Sequence, residues 1–449
     1  MYNVALTIAG SDSSSGAGIQ ADIKTFSSLE VYGCTVITAI TAQNTCGISS
    51  VEKVSPKMVK DQIQAILNDS KVDAIKIGMV YDKDIIVVVH DELKKCNTPI
   101  VLDPVFEAGA GGKLIRNEAF ENFERLLIPL SELITPNIKE AVSLCNNKIQ
   151  NENDMVDALY KIKKMGAKNV IIKGGHFPNS DKKSVTDFLL TDKNNKAIKF
   201  SHPRINISEI HGAGCNFSSA VTAYLARGYR IEEACDISNK FIYESIKNTI
   251  KIGNGLLVVN PIFQLTKNAK RYNVIEELQF AVNCLEKEPK VFRLIPETQM
   301  NFVYAIDNAR NLSDVAGVVG RLVRVEDSVR ASSSVKCGAS KHVGSALLRY
   351  LEKNPKYRSA INIKCDKKLI KICKSLFKVS NYDRKNEPKN IKKQEGMSIN
   401  WGIDYALKKN PVSDCIYHDG DIGKEPMIIL FGKNPSDILL KLKKIVAVY

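Results

Sequence analysis

No apolar run in this 449-residue chain approaches the roughly 18 residues that a membrane-spanning helix needs. A helical anchor is therefore not expected, and neither is a membrane partner. The opening Met1-Tyr2-Asn3-Val4 leads straight into a strand-like segment and lacks the basic-then-apolar layout of a signal peptide, which points to a cytoplasmic location. The 11 cysteines are odd in number, and no two stand in a CxxC pair. That pattern suits reduced thiols and gives little support to a disulfide framework or a structural zinc site. Two glycine signatures are missing. Without GxxxxGK[ST] the chain is not a P-loop kinase, and without GxGxxG nothing favours dinucleotide binding. Aromatic residues make up only 7% of the chain and are sparse among the lysines. No stacking platform results and no helix-turn-helix segment is present, so no nucleic-acid partner is expected.

What is present describes an ordinary soluble globular protein: 44% hydrophobic residues and 25% charged. The length suits two or three domains. Charge is distributed unevenly. Residues 1–265 carry 30 Lys and Arg against 29 Asp and Glu, whereas residues 266–449 carry 34 against 20. The halves are electrostatically different objects, which argues for a boundary between them. The polar, basic run Lys267 to Asn273 reads as part of a linker over 266–274, separating domains 1–265 and 275–449. An excess of cations suits phosphorylated small molecules, acidic membranes or nucleic acid. A solvated lysine face is the plain alternative, and Lys364 to Lys393 partly has that character.

In the first half, short β-branched runs alternate with helical spacing. Val4–Ala9, Cys34–Ile40, Val72–Ile77, Ile100–Asp103, Leu133–Ile134 and Val170–Ile172 read as strands. Ile19–Leu29, Met58–Leu67 and Asp84–Leu93 read as helices. The alternation predicts βαβ units: an α/β fold with a mostly parallel sheet and helices on both faces. Ligands then bind beyond the carboxyl ends of the strands. The polar clusters sit there: Gly10-Ser11-Asp12, Gln43-Asn44, Gly78-Met79, Asp103, Asn137 and Lys173-Gly174-Gly175-His176.

The most informative stretch is His211-Gly212-Ala213-Gly214-Cys215-Asn216, which opens a long amphipathic segment from Phe217 to Arg227. Glycines permit a tight turn and leave successive N–H groups bare. At a helix N-terminus those groups form an anion pocket. Cys215 stands beside it, where a thiol is expected to be acidified below its free pKa of about 8.5. The combination suggests phosphoryl transfer.

An anion loop late in the sheet resembles the ribokinase superfamily. Within it, Ala9-Gly10-Ser11-Asp12, Gly16 to Thr25, Tyr32-Gly33-Cys34, Thr41 to Thr45, Lys76 to Met79, Thr135 to Glu140 and Lys173 to His176 resemble the hydroxymethylpyrimidine and phosphomethylpyrimidine kinases, in order, over residues 2–260. The resemblance implies a ribokinase-like fold, ATP as co-substrate, Mg²⁺, and phosphorylation of 4-amino-5-hydroxymethyl-2-methylpyrimidine, first on the hydroxyl and then on the resulting phosphate. Gly10, Asp22, Gln43 and Met79 then line the acceptor pocket. A planar Gln43 amide matches the donor–acceptor edge of an aminopyrimidine. Asp22 either holds the acceptor hydroxyl or lines the pocket, and Met79 packs on the ring. Lys173, Asn137, Gly212, Ala213 and Gly214 hold ATP phosphates, while Glu140 and Asp103 organise Mg²⁺. Asn137 and Glu140, three residues apart, alternatively form a helix capping box. Cys215 replaces the Asp of most superfamily members, as it does in the pyrimidine kinases. Ala213 and Asn216 stand where relatives often have Thr, leaving backbone N–H groups as the main phosphate donors. Pyridoxal kinase activity is the rival within the class.

The second half, over residues 275–449, resembles the ThiN-type thiamine-phosphate synthase domain. It carries Leu294 to Asn301, Gly320 to Val325, Gly338 to Val343, Tyr382-Asp383-Arg384 with Glu387-Pro388, and Gly423 to Ile428. Its class is α/β or α+β. The resemblance implies condensation of the pyrimidine diphosphate with 4-methyl-5-(2-phosphoethyl)thiazole, yielding thiamine phosphate and pyrophosphate. Such chemistry needs a cationic site. Arg321 and His342 are the catalytic candidates; Lys341, Arg324, Arg384 and Lys424 are the substrate-binding ones. His342, when donating, protonates the departing diphosphate. A non-catalytic module sensing thiamine phosphate is the alternative. A homodimer is the expected assembly.

Overall fold

Period-2 alternation along the first-half strands decides what each face of the sheet carries. In the computed structural model these strands are β1 (Val4–Asp12), β2 (Tyr32–Asn44), β3 (Gly47–Lys53), β4 (Ala74–Ile77), β5 (Ile100–Leu102), β6 (Leu133–Ile134), β7 (Asn169–Ile172), β8 (Ser184–Leu190) and β9 (Ile198–Pro203), joined in the order β3-β2-β1-β4-β5-β6-β7-β8-β9. Strands β2, β1, β4, β5, β6 and β7 are mutually parallel; β3, β8 and β9 close the edges by antiparallel pairing. The structure describes residues 2–107, 112, 114–175, 183–194, 196–207, 210–388, 391, 397–421 and 425–449.

Helices cover both faces, as expected. On one lie α2 (Pro56–Leu67), α3 (Lys83–Leu93), the single turn α4 (Phe120–Asn122), α5 (Ile138–Cys145) and α6 (Glu152–Lys164). Their Ile63, Ile86, Val89 and Leu159 meet Leu6, Ile8, Ile75 and Ile77. On the other face α1 (Gly18–Ser28), α7 (Ala213–Ala226) and α8 (Ile231–Lys247) bring Phe26, Phe217, Val221 and Ile242 against Ala5, Ala74 and Val101. Each large side chain buried this way contributes about 1.5–3 kcal/mol. Thr7 and Lys76, one residue out of phase with Ile8 and Ile77, project to the second face, and they pair in register. Helix α7 is more buried than its amphipathic reading implies: every residue from Asn216 to Tyr224 is inside. A short parallel pair, β10 (Ile210–His211) and β11 (Leu257–Val258), delivers His211 to the start of α7.

The chain divides into two compact units, Met1–Leu265 and Thr266–Tyr449. The segment read as a linker is helical. It belongs to α9 (Phe263–Glu286), and its basic residues are held by carboxylates: Lys267 and Arg271 pair with Asp314 at 2.8 and 2.9 Å, and Lys270 with Asp307 at 2.7 Å.

The second unit is built on β12 (Phe302–Ala305), β13 (Val315–Val318), the separate hairpin β14 (Leu322–Val325) and β15 (Ser328–Ala331), β16 (Val335–Cys337), α10 (Lys341–Leu351), β17 (Ser359–Lys364), α11 (Lys367–Leu376), β18 (Val379–Asn381), α12 (Met397–Lys409), β19 (Cys415–His418), β20 (Met427–Gly432) and α13 (Pro435–Val448). Seven strands run in the order β16-β13-β12-β17-β20-β19-β18. Among the described strands of this sheet only β18 and β19 pair in parallel. Helices α9, α11 and α13 pack on one face, α10 and α12 on the other.

Candidate active sites

Gly212 caps α7 with φ +89, a conformation that L side chains avoid. A Cβ there would lie 1.8 Å from the Gly16 carbonyl oxygen, so the turn is closed against the loop after β1. Asn216 locks it: its Nδ2 donates to the Gly212 carbonyl at 2.7 Å, and its Oδ1 accepts from Thr25 Oγ1 at 2.7 Å. No side chain caps α7. Its first-turn N–H groups thus receive no acceptor from a capping side chain.

Beneath this loop lies a buried charge pair. Lys76 Nζ donates to Asp22 Oδ1 at 2.5 Å, with both side chains almost wholly inside. Thr7 Oγ1 and Ser219 Oγ also donate to Asp22, each at 2.6 Å. Burial opposes the charge on Lys76, but Asp22, Cys215 and Asp103 outweigh it and hold the ammonium above its ordinary range. Asp22, read from sequence as an acceptor-pocket residue, is instead fully buried and committed to these three donors. Cys215 also departs from expectation. Burial pushes its thiol up to about 12, and Asp103 and Asp22 add to the rise against the pull of Lys76. The acidifying helix terminus is overridden because the sulfur shares a low-dielectric pocket with two carboxylates.

Lys173 follows β7, pinned by a bridge to Asn137 and by its N–H to the Pro136 carbonyl at 2.9 Å. Its Nζ reaches Asp103 Oδ1 at 3.3 Å and stands 3.1 Å from where a Cβ on Gly214 would be. Glycine at 214 thus leaves room for an ammonium beside the anion loop. Burial works against that charge, and Asp103, Glu140 and Cys215 restore it, so Lys173 is held above its ordinary value. Asn137 and Glu140 do form a capping box: Glu140 N–H donates to Asn137 Oδ1 at 3.0 Å, and Asn137 N–H donates to Glu140 Oε2 at 2.6 Å. Burial raises Glu140 to about 7, with Lys173 lowering and Asp103 raising it. Asp103, by contrast, is held below its ordinary value: burial raises it, but Lys173 and Lys76 prevail. Its Oδ2 is buried with no hydrogen-bond partner. No cluster of three or more metal-ligating side chains occurs among the described residues. One orphaned carboxylate oxygen beside a second carboxyl suits Mg²⁺ that arrives with nucleotide phosphates, since this ion is commonly held by one or two carboxylates plus the phosphates.

A second cluster of polar residues lies at the reversal of strand order between β1 and β4. A Cβ on Gly10 would meet Met79 Sδ at 2.8 Å, so glycine makes room for the methionine, which is itself buried. Gln43 lies half-buried, its amide 3.1 Å from His211 Nε2, and that nitrogen is 3.0 Å from Asp12 Oδ2. Asp12 also accepts from the N–H groups of Ser14, Gly16 and Ala17 at 2.8, 3.1 and 2.8 Å. Asp12, His211 and Lys76 stand in motifs read from the sequence but received no role of their own there. A lysine inside the apolar run Ala74-Ile75-Lys76-Ile77 was the available signal, because an isolated buried ammonium demands a partner.

In the second unit Arg321 adopts φ +84 on the turn into β14, and its guanidinium donates to the Thr298 carbonyl. Thr298 lines an open cleft of about 570 Å³ together with Glu297, Lys364, Cys365 and Glu425. Lys364, given no role from sequence, is on its wall. Glu425 braces the opposite rim by accepting from the N–H groups of Glu297 and Thr298 at 2.8 and 2.9 Å. Lys341 and His342 are exposed in the first turn of α10, whose capping residue Ser340 makes no side-chain cap. Ser340 packs over Gly317 of β13, while Tyr350 near the far end of α10 stacks on Phe431 with ring centroids 4.0 Å apart. That direction points the start of α10 toward the sheet end that carries Arg321.

A single compact cationic site combining all six candidates is not what forms. Arg324 lies outside on the hairpin, 4.7 Å over the Phe292 ring and bonded to the Glu326 carbonyl at 2.7 Å. Arg384 follows β18 and is buried. It shares the sheet end with Arg321, but five strand positions away, roughly 24 Å. Lys424 falls outside the described residues.

Residues 12–260 match the family model for phosphomethylpyrimidine kinase, and residues 277–444 match that for thiamine-phosphate synthase ThiN. The bifunctional thiamine biosynthesis protein ThiDN of Methanocaldococcus jannaschii is 32% identical over 450 residues, covering 99% of each chain. The chain belongs to the phosphomethylpyrimidine kinase family, with a ThiN domain as its second unit. This kinase–synthase is also 42% identical over 252 residues to the hydroxymethylpyrimidine/phosphomethylpyrimidine kinase of Bacillus subtilis, which spans 56% of the chain and 92% of the relative. Among solved structures, an ADP complex of Bacillus subtilis pyridoxal kinase is 33% identical with TM-score 0.54, covering 59% of this chain and 100% of that one. Pyridoxal kinase from Staphylococcus aureus in complex with AMP-PCP and pyridoxal is 32% identical with TM-score 0.53, covering 58% and 94%. The kinase fold is therefore ribokinase-like, and the protein is a bifunctional enzyme of thiamine biosynthesis.

Proposed function

We propose that the first unit moves the terminal phosphoryl group of Mg·ATP onto the hydroxymethyl oxygen of 4-amino-5-hydroxymethyl-2-methylpyrimidine, and then a second one onto the monophosphate. The observation that carries this is the meeting of Lys173, Gly214 and the orphaned Asp103 oxygen at the bare turn of α7. Loop N–H groups and Lys173 hold the migrating group where its charge develops. Asp103 and Glu140 hold Mg²⁺, which neutralises phosphate charge when bound. Cys215 is protonated at rest. Before transfer it gives that proton to water; the Sγ thiolate, stabilised by Lys76, then takes the hydroxyl proton as the acceptor oxygen bonds to phosphorus and ADP leaves. The second acceptor is a phosphate monoester, already ionised near neutral pH, and needs no base.

The second unit then joins the diphosphate to the thiazole phosphate. The thiazole nitrogen forms the new bond to the pyrimidine methylene carbon, and pyrophosphate leaves with the bonding pair. Arg321 and the exposed start of α10 at Lys341 and His342 receive its charge. Supplying pyrimidine alcohol, ATP, Mg²⁺ and thiazole phosphate tests the whole sequence: thiamine phosphate should form. Cys215→Ala should stall before the diphosphate and His342→Ala after it. Absence of thiamine phosphate with accumulated diphosphate removes the synthase half. Higher kcat/KM with pyridoxal than with the pyrimidine alcohol reassigns the kinase half. A cytoplasmic dimer completes the proposal, and a monomeric mass by light scattering removes the dimer.

A further inference from the structure

Strands β18 and β19 form the parallel pair at one edge of the second sheet, and their carboxyl ends gather an unusual set of side chains. Tyr382, Arg384 and Glu387 are 2, 4 and 7% exposed. Asp383 caps the short turn between them by accepting from Lys385 N–H at 2.9 Å, which fixes Arg384 inward. Among the described residues no hydrogen bond reaches Arg384 Nε and Nη1 or either carboxylate oxygen of Glu387, and the Tyr382 hydroxyl has only the Arg384 guanidinium beside it. The two opposite charges are buried without being bonded to each other. Leaving such groups unmet costs far more than an ordinary hydrogen bond gains, and native proteins seldom keep several together. Aromatic rings wall the cluster. Trp401 meets Tyr382 edge-on at 6.0 Å, and His418 lies 5.1 Å from the same ring.

The unmet groups specify a partner. A carboxylate with both oxygens open calls for two neighbouring N–H donors. An open guanidinium calls for an oxyanion. Rings call for a flat, polarisable group. Building on the synthase function proposed above, we infer that Tyr382, Arg384 and Glu387 form a pocket for an aminopyrimidine bearing phosphate. The protonated amino-imine edge of the ring pairs with Glu387, and phosphate oxygens pair with Arg384. The pyrimidine diphosphate and thiamine phosphate both carry this chemistry. The pocket shares its sheet end with the Arg321 cleft but lies roughly 24 Å from it, so a phosphate held on Arg384 is distinct from the pyrophosphate charge received at Arg321.

The single tryptophan makes the test direct, because Trp401 touches Tyr382. The full chain, without ATP or thiazole phosphate, is titrated in separate arms with the pyrimidine diphosphate, with thiamine phosphate and with inorganic pyrophosphate, following Trp401 emission. Saturable change with either organic phosphate is expected, and the tighter arm identifies the substrate or the product as occupant. Glu387→Gln should weaken binding of the aminopyrimidine phosphates at least tenfold while leaving pyrophosphate within about twofold, because only the ring edge is lost. Arg384→Met should weaken all three. The 4-oxo analogue of the diphosphate should bind at least tenfold more weakly to the native chain, and that discrimination should vanish in Glu387→Gln. Glu387→Gln should also melt no lower than the native chain in the absence of ligand, since an unmet buried charge has been removed. Unchanged Trp401 emission in every arm, or equal affinity of Glu387→Gln and native protein for the aminopyrimidine phosphates, overturns the pocket. Thiamine phosphate synthesis that persists alongside such a result leaves the synthase standing. A Trp401 response without synthesis refutes the synthase and keeps the pocket.

Discussion

The two units handle charge in opposite ways. The first, almost neutral overall, places its functional cations inside and compensates each: Lys76 with Asp22, Lys173 with Asp103. The second carries nearly all of the net charge, exposes Arg321, Lys341 and His342, and, among the described residues, leaves Arg384 Nε and Nη1 and the Glu387 carboxylate buried without hydrogen bonds. Compensated burial makes a preorganised cradle whose lysines stay charged in a low-dielectric site. Exposed excess charge draws anions in from solution but fixes none of them tightly. The contrast fits the chemistry assigned to each. Phosphoryl transfer needs one geometry held closely, whereas a coupling reaction must admit two phosphorylated substrates and release pyrophosphate.

The sharpest way to break this comparison is to uncompensate a pair. Lys76→Met leaves the Asp22 carboxylate buried and alone, and should cost the first unit about 3–5 kcal/mol, read by denaturant unfolding. The double variant Lys76→Met/Asp22→Leu should recover most of that loss. Wild-type stability of the single variant would show that the pair is not what holds α1 and α7 to β4.

Gly212→Ala comes next. Its Cβ collides with the Gly16 carbonyl, and phosphoryl transfer should fall roughly a hundredfold or more as the N–H groups lose their aim, with thiamine phosphate formation from supplied diphosphate unaffected. Full kinase turnover in this variant would move the phosphate cradle elsewhere.

A third outcome concerns pH. Glu140 ordinarily titrates at 4.5 and is raised to about 7 in the folded state. Between those values the unfolded chain has lost the proton and the folded chain keeps it. First-unit stability should therefore fall as pH rises from about 4.5 through about 7. Thermal melts across that window should flatten in Glu140→Gln, and a slope of unchanged size would assign it to another group.

The smallest effect belongs to Arg324→Ala. An exposed guanidinium resting on Phe292 contributes within about 0.5 kcal/mol, and synthase turnover should stay within about twofold. A large loss would restore Arg324 to the site.

Much of the first unit was legible in the order of residues. Apolar runs ending in Gly10, Gly78 and Gly174 announced buried parallel strands, and the glycines around Cys215 announced a tight turn into a helix, because backbone freedom and strand periodicity are local properties. The second unit was less legible. Its mostly antiparallel sheet links strands distant in sequence, and the long helix through 266–274 hid behind polar residues whose carboxylate partners lie some forty positions on.

Residue order alone determined where strands, turns and excess charge would fall, since each follows from nearby chemistry. Tertiary structure decided what those residues became. Burial, with Asp103 and Asp22 nearby, raises the Cys215 thiol where a helix terminus alone would lower it, the Lys76 ammonium pairs with a buried Asp22, and strand order sets Arg384 apart from Arg321. Each of these depends on desolvation and on distance between residues remote in the chain, which no local pattern encodes.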